Sequence, residues 1–136
     1  MRGVFGSGKS TLAKKLAFDQ EAICSADDFF VGKDGTYRWD PMQLESAHAA
    51  CRAKLLDQAM RGITPLVVDN TNLRQSDVDS YAAFGRGFGY EIALVELKPP
   101  SDPEALASYV DACYARCIHD VPRDKIERMA KKLLIG

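Results

Sequence analysis

At 136 residues, the chain is long enough for one domain with a real core and too short for two comfortable ones. With 46% hydrophobic and 27% charged residues it is an ordinary globular sequence. A formal charge of −1 excludes a global field that draws proteins onto nucleic acid or anionic membrane, so any nucleic-acid contact has to come from a local patch.

Short apolar strands alternate with amphipathic helices, the pattern of a parallel α/β sheet. The first strand is expected over residues 1–5, followed by a helix from Lys9 with Leu12, Ala13, Leu16 and Ala17 on one face. Residues 21–25, EAICS, read as the second strand. A polar loop over residues 32–40 follows. Asp40 as N-cap, with Pro41 at the first helical position, then starts a helix whose buried stripe is Leu44, Ala47, Cys51, Leu55 and Ala59. Residues 65–70, PLVVDN, form a third strand whose continuous apolar run suits cover on both faces. Ser76 caps a helix carrying Val78, Tyr81 and Phe84, and residues 90–97, YEIALVEL, form the fourth strand. Asp102 and Pro103 repeat the cap-plus-proline device before a helix over residues 104–116, and Pro122 opens a last helix to Leu134. Only Met1 and Arg2 precede Gly3, so either the first strand is stunted or the protein begins upstream. No apolar run approaches the ~18 residues of a membrane span, and neither a span nor a leader is expected.

Gly3-x4-Gly8-Lys9-Ser10 satisfies the P-loop pattern, with strand before and helix after. Gly6 and Gly8 let the backbone N–H groups turn inward around a β-phosphate without a Cβ clash. Lys9 reaches the β- and γ-phosphates, and the Ser10 hydroxyl completes a Mg²⁺ site. The following helix adds its N-terminal dipole. The loop from Gly6 and Ser7 to Thr11 is therefore expected to bind ATP or GTP with Mg²⁺, and nothing resembles a guanine-reading motif.

The acids downstream decide the chemistry. Asp27 and Asp28, in SADDFF, lie just past the second strand, at the ligand-binding edge of a doubly wound sheet. A carboxylate there can take the proton of an acceptor hydroxyl while a γ-phosphoryl group is transferred, or it can be a helix N-cap or turn acid. Asp69 ends the third strand where P-loop proteins hold Mg²⁺ through water. Asn70, Thr71 and Asn72 offer amide and hydroxyl groups at the same edge, although a plain turn explains each asparagine separately.

GSGKSTLA, SADDFF, Tyr37 and Trp39, AHAAC, VVDNTN, GY at Gly89 and Tyr90, and RCIHDVPRDKIERM follow one another over nearly the whole chain. In these motifs the sequence resembles the polynucleotide kinase-like P-loop kinases. The resemblance implies a P-loop NTPase fold, three αβα layers around a parallel sheet of about four strands. It implies one domain over residues 1–136, with a short helical lid near residues 104–134. It further implies transfer of the γ-phosphate of ATP to a 5′-hydroxyl of DNA or RNA, so ATP, Mg²⁺ and a single-stranded 5′ end are the expected ligands. Under it Asp27 is the general base, and Lys9, Ser10 and Thr11 belong to the ATP–Mg²⁺ loop. Thr71 and Asn72 lie near the acceptor, with Asp28 and Asn70 beside them, and Arg116 is the lid arginine that reaches the transferring phosphate. Two positions depart from the pattern. Phe30 stands where phage-type enzymes carry an acceptor-holding arginine, and the second lid arginine is missing, so His119 or Arg123 has to serve.

Two other readings stay open: a small-metabolite kinase of the zeta-toxin-like kind, and an ATP-binding module that works through a partner protein. Tyr37 and Trp39 can stack a base or pack under their loop. RGFGYE reads as glycines closing a helix rather than an RNA-stacking strand. His48 reads as a core histidine. Among the C-terminal basic residues Arg116 and Arg123 are expected to be functional, and Lys125, Arg128, Lys131 and Lys132 to be surface. Cys24, Cys51, Cys113 and Cys117 suit reduced thiols in a cytosolic protein. Cys113, Cys117 and His119 look like half a zinc site, but structural zinc takes about four ligands and no second pair matches them.

Overall fold

The computed structural model describes residues 1–135. Helix α1 (Lys9–Leu16), strand β1 (Ile23–Cys24), helix α2 (Leu44–Met60) and strand β2 (Val67–Val68) come first in the chain. Helices α3 (Gln75–Gly87), α4 (Pro103–Arg116) and α5 (Arg123–Ile135) follow. Short 3-10 turns at Gln20–Ala22, Ala26–Phe30 and Pro41–Gln43 join them.

β1 and β2 pair in parallel, with Ile23 opposite Val67 and Cys24 opposite Val68. Successive strand residues point to opposite faces, and the core divides accordingly. Ile23 and Val67 pack with Ala13 of α1 on one face. Cys24 and Val68 pack on the other with Ala47, Cys51 and Leu55 of α2 and with Tyr81 and Phe84 of α3. Helices therefore cover both faces, which is the layering the apolar strands call for. A further cluster joins Val4 to Val110 and Cys113 of α4 and to Ile126 and Ala130 of α5. In α5 the buried residues Ile126, Met129, Ala130 and Leu133 recur at helical spacing. Each of the larger ones contributes about 1.5–3 kcal/mol on burial.

The expected sheet of four strands is not fully formed, and two strands are regular among the described residues. Residues 1–3 do run beside β2, the Met1 nitrogen donating to the Val68 carbonyl at 2.7 Å and the Gly3 N–H to that of Thr71 at 3.1 Å. On their far side the Arg2 N–H donates to Val95 and the Leu97 N–H to Arg2, each at 2.9 Å, which makes a single parallel bridge between Arg2 and Glu96. Among the described residues, 90–94 take no regular strand beside 65–67. A cavity of about 540 Å³ opens there, lined by Pro65, Val67, Tyr90, Ile92 and Leu94 among others. Arg2 is buried at this junction, its Nη2 donating to the Leu73 carbonyl at 2.8 Å and its Nε 3.8 Å from the Glu96 carboxylate.

Asp102 caps α4 as expected, accepting from the Ala105 N–H at 2.8 Å. Asp40, accepting from the Met42 N–H at 3.0 Å, caps the 3-10 turn Pro41–Gln43 that leads into α2 instead of α2 itself. The second strand is shorter than expected because Asp19 accepts from the Glu21 N–H at 3.1 Å and winds residues 20–22 into a turn. Ser76 lies inside α3 instead of capping it. The Asp77 carboxylate accepts from the Arg74 N–H at 3.2 Å, an acid in the first turn satisfying an orphan donor. RGFGYE is the end of α3, closed by Gly89 at φ +84° and by the Tyr90 N–H on the Gly85 carbonyl. Among the described residues no helix is long and apolar enough to cross a membrane.

Candidate nucleotide-binding and catalytic site

The phosphate loop hangs between residues 1–3 and α1. Gly6 at φ +73° and Gly8 at φ +97° take the left-handed turns that other residues resist. Val4 is fully buried, and its carbonyl gathers the loop: the Ser7 hydroxyl and the Lys9 ammonium each donate to it at 2.7 Å. Lys9 carries three donors, and this is the one hydrogen bond its ammonium makes among the described residues. Burial lowers its pKa, partly opposed by the negative charges of Asp69 and Asp27. At the N-terminus of α1 the Ser10 hydroxyl donates to the buried Asp69 carboxylate at 2.8 Å, and Thr11 follows it on the exposed side. A hydroxyl beside a carboxylate is an all-oxygen set of the kind that suits Mg²⁺, which keeps several of its own waters.

Ser25 caps the Ala26–Phe30 turn, accepting from the Asp27 N–H at 3.3 Å, so neither acid of the pair is spent as the cap. Asp27 is half-buried, its Oδ1 accepting from the Tyr37 hydroxyl at 3.2 Å and its Oδ2 3.7 Å from Nδ1 of His119. Asp28 points to the more open side. Partial desolvation holds its carboxyl above the usual range, Lys54 opposing and the charges of Asp27 and Asp69 adding to the rise. Phe30 is buried in the core with α2, so no cation stands beside Asp27 at that position.

The two asparagines are engaged inside the protein. Asn70 is buried, accepting from the Ala26 N–H at 2.9 Å and donating to the Tyr81 hydroxyl at 3.4 Å. Asn72 takes a left-handed φ of +46° and donates to the Met1 carbonyl at 2.8 Å. The Thr71 carbonyl receives the Gly3 N–H, and its side chain remains half-buried at the edge. Asn70→Ala strands the Ala26 N–H, and it is expected to lower unfolding free energy by about 2 kcal/mol in urea titrations.

α4 and α5 bring the C-terminal residues to the loop. Arg116 donates through Nε to the Gly6 carbonyl at 3.0 Å and through Nη2 to the Cys113 sulfur at 3.8 Å, which fixes its guanidinium beside the phosphate loop. Arg123 instead joins α4 to α5, pairing with Asp111 and, at 3.1 Å, with Glu127. Arg128 and Lys131 pair with Asp124 and Glu127 on the solvated face, as expected. Lys125, expected on that face too, places its Nζ 5.2 Å from the Trp39 ring centroid and 6.0 Å from that of Phe5. The sequence alone leaves Tyr37, Trp39 and His119 without a settled place. Their signal is their spacing, two of them in the loop after the acid pair and one before Val121 and Pro122.

Two comparisons bear on this geometry. Residues 1–133 match the family model AAA_33, an AAA domain. Human NEDD4-binding protein 2 is 33% identical over 135 residues, an alignment that covers 95% of this chain and 7% of that protein. With its phosphate loop, its Ser10–Asp69 pair and its layered α/β core, the chain belongs to the AAA_33 family of P-loop AAA domains.

Proposed function

We propose that the protein is an ATP-dependent phosphotransferase acting on a hydroxyl, the 5′-hydroxyl of a polynucleotide or nucleotide being the preferred acceptor. The observation that carries this reading is the meeting at one sheet edge of Lys9, the Ser10–Asp69 pair and Asp27, whose charges act on one another. A nucleotide-binding site needs only the first two. A carboxylate left uncapped beside them is what a phosphoryl acceptor requires.

Ser10 and Asp69 would hold Mg²⁺, which when bound offsets phosphate charge. Lys9 turns its remaining donors to the β- and γ-phosphates, and loop N–H groups between Gly6 and Thr11 hold them in place. Asp27 accepts the proton of the acceptor hydroxyl as its oxygen bonds to the γ-phosphorus, and the bond to the β–γ bridging oxygen breaks to release ADP. Arg116 meets charge on the transferring oxygens, because a guanidinium fork matches them. Thr71 and Asp28 border the acceptor, Asn70 and Asn72 shape that border from behind, and Arg123 steadies the lid of α4 and α5.

A small hydroxylated metabolite is the second reading, favoured by Phe30, which leaves no cation for a nucleic-acid backbone beside Asp27. The test is transfer of labelled γ-phosphate from ATP–Mg²⁺ to 5′-hydroxyl DNA and RNA oligonucleotides, nucleosides and sugars. Label on oligonucleotides supports the first reading, label on a small acceptor alone replaces it with the second, and ATP binding with no transfer to any acceptor overturns both.

Lys9 allows a further check. Its folded-state pKa lies below 10.5, so the ligand-free protein gains stability as pH rises from that lowered value toward 10.5. Lys9→Met is expected to abolish ATP binding, to remove that climb and to stabilise the ligand-free protein at pH 7 by about 1 kcal/mol. Thermal melts with and without ATP–Mg²⁺ read all three.

A further inference from the structure

Resting on the assignment of Asp27 as the base, we infer that Tyr37 and His119 are positioning residues that clamp its carboxylate. The clamp is complete only while the turn after α4 lies on the loop after the acid pair. The two oxygens of Asp27 are met from two distant segments, Oδ1 by the Tyr37 hydroxyl at 3.2 Å and Oδ2 by His119 Nδ1 at 3.7 Å. The two rings stack on each other, centroids 4.5 Å apart and planes 25° apart, and His119 also sets its edge on Phe5 of the phosphate loop at 5.8 Å. One imidazole thus touches the base, the loop beside it and the nucleotide loop.

The turn that delivers His119 is built for this. α4 ends at Arg116, Asp120 takes a left-handed φ of +52°, and Val121 returns to the core at 8% exposure. A non-glycine residue in that conformation costs about 1–2 kcal/mol and persists because His119, packed on Tyr37 and Phe5, and the buried Val121 fix the chain on either side of it. Lys125, in the first turn of α5, lies over Trp39 and ties the start of that helix to the same loop. Asp27 sits on a short 3-10 turn, which by itself leaves its χ angles free. Contacts on both oxygens select the rotamer that faces the acceptor. Burial and the charge of Asp27 push the Tyr37 phenol upward, so it stays a donor throughout the neutral range.

The test uses the full chain and the transfer assay above, with Asp27→Asn as reference. His119→Ala and Tyr37→Phe are each expected to lower kcat on the order of 10–100-fold with KM for ATP unchanged. His119→Asn, whose amide stands where Nδ1 stood, recovers most of the loss, and the double variant is no worse than the poorer single one. Independently of any acceptor, His119→Ala is expected to red-shift the emission of Trp39, the chain's single tryptophan, and to increase its quenching by acrylamide as the loop comes free. An inactive Asp27→Asn beside fully active Tyr37 and His119 variants overturns the clamp alone. A fully active Asp27→Asn overturns the base assignment itself. A raised KM for ATP with unchanged kcat makes the pair nucleotide contacts and overturns positioning, and an unmoved Trp39 spectrum overturns the docking of loop and turn.

Discussion

Asp27→Asn is expected to reduce phosphoryl transfer on the order of 10²–10⁴-fold while leaving ATP affinity within a few-fold of the parent. The amide keeps the shape of the carboxylate and can still accept from the Tyr37 hydroxyl, so the turn and its neighbours stay in place. What it cannot do is take a proton. On the proposed reading the nucleotide side holds, because it rests on Lys9, the loop and the Ser10–Asp69 pair and not on Asp27. One electrostatic side effect runs through Lys9. Asp27 helps to keep that ammonium charged against burial, so its removal lowers the Lys9 pKa further. An ammonium already bound to phosphate is insensitive to this at neutral pH, so the loss appears in kcat. Asp28→Asn is the internal comparison. Asp28 is the more exposed acid of the pair and makes no hydrogen bond to Tyr37, so its variant is expected to keep transfer within about tenfold, a border contact and not the base. Equal losses in the two variants would remove the distinction between the acids. A parallel loss of ATP binding, read by titration calorimetry, would turn Asp27 into a nucleotide residue.

The local grammar of this chain was legible in its sequence. Gly6 and Gly8 take the left-handed turns the P-loop pattern calls for, Asp102 caps its helix and Asp40 caps the turn that leads into its own, because each depends on residues within a few positions. The sheet was less legible. Residues 90–97 carry a strand pattern, yet strand pairing depends on a neighbour, and Arg2 offers one bridge to Glu96. The asparagines after β2 show the same limit. An amide at a ligand-binding edge reads alike whether it faces a substrate or the Ala26 N–H, and the choice is made 44 residues away. In the sequence only position in a motif distinguishes Arg123 from Lys125. Helix geometry, which a motif does not show, turns Arg123 to Asp111 and Glu127 and Lys125 to Trp39. His119 stayed ambiguous for the same reason, since what it touches comes from Asp27, Tyr37 and Phe5.

Gly6→Ala is expected to cost about 2–5 kcal/mol of stability and to abolish ATP binding. A Cβ there would meet the Cys113 carbonyl oxygen at 2.0 Å and its carbon at 2.8 Å, backbone atoms of α4 that no rotamer change can move aside. Nor can α4 retreat as a body, because Val110 and Cys113 are fully buried against Val4 and α5. The φ of +73° adds strain for any residue with a side chain. Gly8→Ala supplies the contrast. Its φ of +97° carries a comparable penalty, but nothing lies within 4 Å of the added carbon. It is expected to weaken ATP binding by bending the loop while costing only about 1–2 kcal/mol. Denaturant melts of the two variants separate backbone strain from the collision with α4, and equal costs would show that the close approach of loop and helix is not carried in solution. The same collision has a consequence for the chemistry. The Gly6 carbonyl holds Arg116, so a helix pushed off the loop takes the guanidinium with it. On the proposed mechanism, the tight packing of one glycine against α4 would therefore couple phosphate binding to the arginine proposed to meet the transferred group.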